Sequence, residues 1–103
     1  MDVLYELDGQ QFVWNKAKSE SNYQKHGVTF EEAATVIIDP DSALYRDLEH
    51  TDKEVRYKSI GYSVKSRVLL VCHCERENGD IVRIISARKA DNHERKMFME
   101  GLQ

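Results

Sequence analysis

The sequence lacks the features of membrane proteins and of secreted proteins. No apolar run among its 103 residues approaches the roughly 20 residues that a membrane-crossing helix needs. Residues 1–6 have neither the basic start nor the long apolar stretch of a signal peptide. We therefore expect a cytoplasmic protein that makes no contact with a membrane.

Cysteine is scarce as well. The sequence has 2 cysteines, Cys72 and Cys74, on either side of His73. On a strand both thiols point to the same face, and a bridge over so short a distance demands distorted geometry. His73 points to the opposite face, which argues against a joint metal site. We interpret both cysteines as small, reduced core residues.

Motifs for nucleotides and metals are also missing. The sequence has no Walker-type loop, no GxGxxG, no HExxH and no carboxylate spacing typical of a two-metal site. We therefore expect no cofactor and no metal, which leaves side-chain chemistry on a polyanion, or binding without chemistry. There is no internal repeat, and the length fits one domain over residues 1–103.

Charge is unevenly distributed along the chain. Residues 1–54 have twelve acidic and five basic residues, a charge of −7, whereas residues 55–103 have six acidic and ten basic residues, a charge of +4. Together they give the net charge of −3, which is unusual for a general nucleic-acid binder. A local basic face can still bind a few phosphates, because the field near a surface follows local charge. The alternative is that the asymmetry only keeps the surface solvated.

The N-terminal part predicts a hairpin and a polar helix. An Asp-Gly turn signal between two apolar segments predicts a β-hairpin over residues 4–14. Asn15 is a typical N-cap, and Gly27 is a typical left-handed C-cap. The helix between them is polar, so we expect it on the surface with Ala17 and Tyr23 as its main apolar contacts.

A second helix follows at once. Thr29 and Glu32 predict a capping box, and Asp39-Pro40 ends the helix. Its apolar residues recur with helical spacing and should pack against a sheet: Phe30, Ala33, Ala34, Ile37 and Ile38. Residues 39–54 are predicted to form an acidic, flexible connection.

The C-terminal part predicts three strands and a helix. The strands are expected over residues 55–63, 67–75 and 80–87, and the short polar connections make neighbouring strands antiparallel. Asp91 and Glu94 then predict an acidic relative of the capping box. The predicted class is α+β: two N-terminal helices on an antiparallel sheet, made of a hairpin and a three-strand meander, with a C-terminal helix.

Arginines of the predicted strands are candidates for binding phosphate. Alternation along a strand places Arg56 and Lys58 on one face, and it places Arg83 and Arg88 on opposite faces. Meander strands lie side by side, so a cluster is reasonable that uses some of Arg56, Arg67, Arg76 and Arg88. Guanidinium groups suit phosphate oxygens and can stabilise a phosphoryl transition state. The alternative for each arginine is a solvated cation on a sheet face.

The 4 histidines are candidate acid or base groups. His50 precedes the strand of Arg56 and can reach the same face. His26 is better suited to stabilise a helix C-terminus, and His73 is expected to be structural. His93 lies in the first turn of the last helix.

A longer series of residues runs through most of the chain. Its first part is Trp14, Asn15, Lys16-Ala17-Lys18, Asn22, Lys25-His26-Gly27-Val28-Thr29-Phe30-Glu31-Glu32-Ala33 and Asp39-Pro40. Its second part is Asp47, His50, Glu54-Val55-Arg56, Ile60-Gly61, Arg67, Arg76, Arg83-Ile84-Ile85-Ser86-Ala87-Arg88-Lys89-Ala90 and Glu94. This ordered series, over about residues 12–99, resembles the BrnT family of type II toxins.

The resemblance implies a fold, an activity and a partner. The fold would be RelE-like, with two N-terminal helices against a twisted antiparallel sheet and a C-terminal helix. The activity would be that of a ribonuclease that arrests translation, neutralised by a BrnA-like antitoxin with a ribbon-helix-helix DNA-binding segment. Operator DNA would be bound only through this antitoxin. Residues 1–7 precede the usual start of the family and are expected to add an edge strand.

Two functions are therefore considered. In the first, the chain is a metal-independent endoribonuclease, with His50 or Glu54 as the base. The residues that hold the phosphate would be Arg56, Arg67, Arg76 and Arg88, and further RNA contacts would come from Lys58, Arg83 and Lys89. In the second, the chain is a catalytically weak or inactive module that binds the antitoxin and acts in repression of the operon.

Overall fold

The computed structural model describes residues 1–49 and 54–102, and its class is α+β. In chain order its elements are β1 (Asp2–Leu7), β2 (Gln10–Asn15), α1 (Lys16–His26), α2 (Phe30–Ile38), β3 (Ala43–Asp47), β4 (Arg56–Tyr62), β5 (Val68–Arg76), β6 (Ile81–Lys89) and α3 (Asn92–Gly101). A 3-10 turn at Glu77–Gly79 connects β5 to β6. No helix in the two described ranges is long and apolar enough to cross a membrane.

The six strands form one sheet in the order β1-β2-β6-β5-β4-β3. The predicted hairpin and the three-strand meander are both present and antiparallel. The prediction of an antiparallel sheet is wrong at one junction, where Gln11–Val13 of β2 pair with Ile81–Arg83 of β6 in parallel. The second strand of the hairpin, β2, pairs with the last strand of the meander, β6. A long connection separates the two strands in the chain, which allows them to run in the same direction.

An additional strand lies within the predicted flexible connection. Ala43–Asp47 form β3, an edge strand that pairs antiparallel with β4 from Ala43 opposite Ile60 to Asp47 opposite Arg56. Only Asp47 of this strand is buried. The sequence pattern missed β3 because its three apolar residues are consecutive and do not alternate with polar ones, which is the usual signal of a half-buried strand.

Helix α1 attaches to the sheet through a polar side chain. Both predicted caps are present: the Asn15 side chain accepts from the amide of Lys18, and Gly27 has a φ of 67°. The expected apolar contacts are wrong, because Ala17 and Tyr23 are exposed. The residue of α1 that is buried is Asn22.

The Asn22 side-chain amide binds three backbone groups, two on Ala87 of β6 and one on Val28 in the connection between α1 and α2. Its Nδ2 donates to the carbonyl of Ala87 at 2.8 Å and to that of Val28 at 3.1 Å. Its Oδ1 accepts from the amide of Ala87 at 3.1 Å. The side chain therefore completes hydrogen bonds that β6 leaves open where α1 crosses it.

Helix α2 covers the main core. Of its predicted apolar stripe, Phe30, Ala33 and Ala34 are fully buried, whereas Ile37 and Ile38 are partly buried. They pack with Trp14 and other side chains of the hairpin, β5 and β6. The predicted capping box is half formed: Thr29 accepts from the amide of Glu32, but the Glu32 carboxylate is bound elsewhere.

Helix α3 packs on the other side of the sheet. Its capping box between Asp91 and Glu94 is confirmed. Phe98 is buried against Ile60, Val68 and Leu70 in a second, smaller core cluster. The sheet thus has a helix face, which contacts α1 and α2, and an open face, on which α3 packs at one end.

We expect Asn22→Ala to lower the free energy of unfolding by about 2–3 kcal/mol, because buried backbone groups would lose their partner. Urea unfolding of the variant and the wild type measures this difference. Gln24→Ala, at an exposed position of the same helix, is the matched control and should stay within about 0.5 kcal/mol of the wild type. An equal effect of both substitutions would show that the Asn22 bonds add nothing.

Candidate active site on the open face of the sheet

Arg83 and Arg88 lie on the same face of the sheet. Arg83 is opposite Cys74 and Arg88 is opposite Leu70, two residues of β5 that share a face. The prediction of opposite faces is wrong because the register shifts between Cys72 and His73, where Ile85 of β6 is passed over. Such a β-bulge inverts the alternation beyond it.

The strand register brings most of the predicted basic residues together. One row across the open face contains Asp47, Arg56, Cys74 and Arg83. The next row contains Tyr45, Lys58, Cys72 and Ser86. Arg76 and Arg88 share this face by strand alternation, so the open face carries Arg56, Lys58, Arg76, Arg83 and Arg88.

Glu54 connects two of these arginines. Its Oε2 accepts from Nη1 of Arg76 at 2.6 Å, and its Oε1 lies 3.8 Å from Nε of Arg56. The hydrogen bond from Arg76 and the nearby positive charges lower the pKa of Glu54 from its ordinary value of 4.5. The carboxylate is therefore ionised at neutral pH, but it accepts a proton less readily than an unperturbed glutamate.

Arg88 is held by the first turn of α3. Its Nη1 and Nη2 donate to the two carboxylate oxygens of Glu94 at 2.8 and 2.9 Å. The hydrogen bonds from Arg88 lower the pKa of Glu94. Because Glu94 also accepts from the amide of Asp91 at 2.8 Å, the same carboxylate caps α3 and orients Arg88.

Arg83 is paired with the N-terminal strand. Its Nη2 donates to Oδ2 of Asp2 at 2.8 Å, and this hydrogen bond lowers the pKa of Asp2. Nε of Arg83 is buried and has no hydrogen-bond partner among the described residues. The guanidinium group therefore retains a donor that the described part of the chain leaves unused.

Arg67 lies apart from the open-face arginines. Its Nε and Nη2 donate to the carboxylate of Glu32 on α2, and Nη2 also donates to the carbonyl of Gly27 at 3.0 Å. Ser63 donates to the same carboxylate at 2.7 Å. The structure does not bring Arg67 into a cluster with Arg56 and Arg76. Its guanidinium connects the start of β5 to the helices.

Lys89 also lies outside the open face. It is the exposed last residue of β6, opposite Leu69, whose side chain belongs to the main core. Strand alternation therefore directs Lys89 away from the face that carries Arg88. Of the predicted RNA contacts, Lys58 and Arg83 share the open face and Lys89 does not.

The histidines contribute no described group to the open face. His50 lies outside the described residues. His73 is buried on the helix face, with Nε2 2.9 Å from Oγ of Ser59 and its ring stacked on Tyr57. Burial lowers the pKa of His73 from 6.5 to about 4, so the ring is neutral at pH 7. His26 and His93 are exposed.

The sequence pattern missed two side chains that β3 adds to the open face. Tyr45 lies opposite Lys58, and Asp47 lies opposite Arg56. The alternation of Ala43, Tyr45 and Asp47 would have indicated them, but only once residues 43–47 were recognised as a strand.

Both cysteines lie on the open face of β5, in the same rows as Arg56 and Lys58. Both are free, Cys74 is buried, and burial raises the pKa of its thiol. The interpretation of both cysteines as core residues agrees with the structure for Cys74 but not for Cys72, which is only partly buried, and the two share one face as expected. Within residues 1–49 and 54–102, no group of three or more His, Cys, Asp or Glu side chains is arranged to hold a metal ion.

The open face is suited to a phosphodiester. Guanidinium groups on β4, β5 and β6 can donate in pairs to phosphate oxygens. An ionised carboxylate lies between two of them and can accept a proton from a neighbouring hydroxyl. A phosphate would have to compete with the carboxylates that already bind these arginines.

Comparison with known families identifies the protein class. The family model described as "Ribonuclease toxin, BrnT, of type II toxin-antitoxin system" matches residues 14–94. The chain belongs to the BrnT family. The resemblance seen in the sequence is thereby confirmed, and the chain is a ribonuclease toxin of the type II class with an antitoxin as its partner.

A solved structure has the same fold. The crystal structure of the Brucella abortus ribonuclease toxin BrnT, at 1.1 Å resolution, matches with a TM-score of 0.58 and 20% sequence identity. The match covers 77% of this chain and 94% of that chain. At this identity the similarity shows the fold alone. None of the curated proteins compared with the chain matches it.

The ion pair between Glu32 and Arg67 predicts a pH dependence of stability. Burial would raise the pKa of Glu32, but hydrogen bonds from Arg67 and Ser63 together outweigh it, and the pKa lies below 4.5. A carboxyl group with a lowered pKa stabilises the fold above its unfolded pKa, and this contribution is lost as the pH falls through the folded pKa. We expect the wild type to lose stability progressively below about pH 4.5.

Glu32→Gln should lower the free energy of unfolding at pH 7 by about 3 kcal/mol, since it leaves Arg67 without its carboxylate. It should also reduce the fall in the free energy of unfolding below about pH 4.5, which we call the acid limb. Urea unfolding between pH 3 and pH 7 measures both effects. Glu31→Gln, at an exposed position in the same helical turn, serves as the control and should keep the acid limb of the wild type. An acid limb that survives in Glu32→Gln would assign it to other carboxylates.

Proposed function

We propose that this BrnT family member is a metal-independent endoribonuclease whose active site is the open face around Glu54. The ribose 2′-hydroxyl loses its proton to a base and attacks the adjacent phosphorus. The O2′–P bond forms, the P–O5′ bond breaks, and the 5′ oxygen leaves with a proton. The products are a 2′,3′-cyclic phosphate and a 5′-hydroxyl end. The observation that supports this most is the Glu54 carboxylate held between two guanidinium groups.

The base is proposed to be His50 or Glu54. Glu54 has the position for this role, next to the arginines that would hold the phosphate. Its lowered pKa limits its strength as a base, which favours a role for His50, four residues earlier in the chain. Substitution of the true base should slow cleavage by about 10²–10⁴-fold.

The phosphate that is cleaved is proposed to bind Arg56 and Arg76, which lie beside Glu54. Their donors would stabilise the charge that develops on the phosphate oxygens in the transition state. Arg88 is proposed to bind a more distant part of the RNA backbone, because it lies opposite Leu70, six residues along β5 from Arg76. Lys58 and Arg83, on the same face, and Lys89, at the end of β6, are proposed to bind the RNA backbone. For Arg67 we propose an indirect role, because its guanidinium is bound to Glu32 on the helix face.

The biological setting is proposed from membership of the family. RNA cleavage would arrest translation in the cytoplasm. A BrnA-like ribbon-helix-helix antitoxin would neutralise the toxin, and the complex would bind operator DNA through the antitoxin. The acidic front half of the chain is suited to a basic partner. The RelE-like relationship that the resemblance implies stays a prediction.

One observation favours the alternative function, in which the chain is a weak or inactive ribonuclease that acts mainly in repression. Arg56, Arg76, Arg83 and Arg88 each have a carboxylate of the same chain within 4 Å: Glu54 for the first two, Asp2 for the third and Glu94 for the fourth. RNA must displace these carboxylates before it can use the arginines. If this displacement is unfavourable, the open face neither binds nor cleaves RNA.

We expect Arg76→Ala and Arg56→Ala each to lower kcat/KM for RNA cleavage by about 10²-fold or more, since each removes a donor from the transition state. The measurement is cleavage of unmodified RNA by purified protein, with and without EDTA. The wild-type rate should be unchanged by EDTA, and the products should carry cyclic phosphate ends.

Arg46→Ala is the matched control for these substitutions. Arg46 is an exposed arginine of β3 opposite Tyr57, on the other face of the sheet. It should retain the wild-type rate. Equal losses in Arg46→Ala and Arg76→Ala would indicate a general effect of positive charge, and complete inhibition by EDTA would contradict metal independence.

Inducible expression of the chain alone separates the two functions. Growth arrest with discrete new RNA 5′ ends in primer extension would establish an active toxin. Normal growth with unchanged RNA, from protein shown to be folded, would favour the repression module. The repression function also requires that the complex of this chain with its antitoxin binds the operator DNA.

A further inference from the structure

A second basic site lies at the other end of the sheet from Glu54. Here the start of β5, the end of β6 and the first turns of α3 enclose an open cavity of about 330 Å³. Its polar lining includes Arg67, Lys89 and Arg95, together with Ser66 and Asn92. We call this the α3 pocket.

The lining of the α3 pocket is basic, and one of its three cations, Arg67, is already paired with Glu32. Three of its lining residues are basic, and none is acidic. Within the part of the chain that the structure describes, Lys89 and Arg95 have no ion-pair partner. This contrasts with the open-face arginines, each of which is bound by a carboxylate. The two free cations attract an anion without first losing a partner.

The third cation is fixed in place. Arg67 is oriented by the Glu32 carboxylate and the Gly27 carbonyl, so its guanidinium is held at the wall of the pocket. The Ser66 hydroxyl and the Asn92 amide can donate to the same anion. A fixed guanidinium, two mobile cations and neutral donors suit a phosphate group.

The pocket is too far from Glu54 to bind the phosphate that is cleaved. Val68 lines the pocket and Arg76 binds Glu54, and they are eight residues apart on β5. At about 3.3 Å per residue the two sites are about 26 Å apart along the strand. Arg88 lies between the two sites along the strands, on the open face, where it binds Glu94 of α3.

We propose that the α3 pocket binds a backbone phosphate of single-stranded RNA at a distance from the cleaved bond. The inference rests on the proposed function, because it takes RNA to be the substrate. It adds Arg95 as a binding residue and gives Lys89 a defined site. The contact fixes the position of the RNA and carries no base specificity.

The test is RNA binding as a function of salt. The probe is a 20-nucleotide, fluorescein-labelled RNA with 2′-O-methyl groups throughout, which cannot be cleaved through the 2′-hydroxyl. For the full chain, the logarithm of the binding constant falls linearly with the logarithm of the salt concentration. Lys89→Gln with Arg95→Gln should reduce the magnitude of this slope by about 0.7, because the variant no longer neutralises the one phosphate bound in the pocket.

Lys18→Gln with Lys25→Gln is the matched control. Both lysines are exposed on α1, and the pair changes the net charge by the same amount. The control should retain the wild-type slope, and thermal unfolding confirms that both double variants are folded. An unchanged slope in the pocket variant, or an equal change in both, overturns the inference.

Two further outcomes separate this inference from the proposed function. RNA cleavage by the wild type is measured with unmodified RNA; if cleavage is absent while the slope depends on Lys89 and Arg95, the ribonuclease proposal fails and the phosphate site stands. Inorganic phosphate is also titrated while the amide signals of Lys89 and Arg95 are followed by NMR. Binding of inorganic phosphate with an unchanged RNA slope overturns the assignment to RNA.

Discussion

The pairing of β5 with β4 on one side and β6 on the other is the constraint on which the rest of the structure depends. It fixes which residues of three strands share a face, and it therefore decides that Arg56, Lys58 and Arg76 are neighbours. The bulge opposite Cys72 and His73 then brings Arg83 to the same face as Arg88. Without this one irregularity, strand alternation would direct Arg83 toward the core under α1 and α2.

The arginines are held in position by carboxylates from other elements. Glu54 precedes β4 and binds Arg76 at the end of β5, Asp2 of β1 binds Arg83, and Glu94 of α3 binds Arg88. These pairs orient the guanidinium groups before any ligand arrives, which reduces the entropy lost when a phosphate binds. They also oppose binding, because the same donors must change partners. The activity of the open face is the balance of these two effects.

Local signals predicted the elements well. The caps at Asn15, Gly27 and Asp91 each involve residues within a few positions of one another, and all three are present. The hairpin and the meander followed from turn residues and short connections. These features are determined by neighbouring residues, so a single sequence is sufficient to find them.

The contacts that the sequence did not predict are long-range. The parallel pairing of β2 with β6 and the hydrogen bonds of Asn22 to Ala87 join residues more than 60 positions apart. The partner carboxylates of the arginines lie on other elements, and strand alternation gives no sign of a bulge. β3 was missed because its apolar residues are consecutive in the sequence and lack the alternation with polar residues that marks a strand.

The carboxylates that pair with the open-face arginines affect how RNA binding depends on ionic strength. Added salt screens the attraction between the open-face arginines and RNA, but it equally screens their attraction to Glu54, Asp2 and Glu94. These arginines exchange one anion for another, so fewer bound ions are released when RNA arrives. Counting the basic residues of the open face therefore overstates the number of ions set free. The net charge of such a surface is a poor guide to its affinity, whereas the number of cations without an internal partner is a better one.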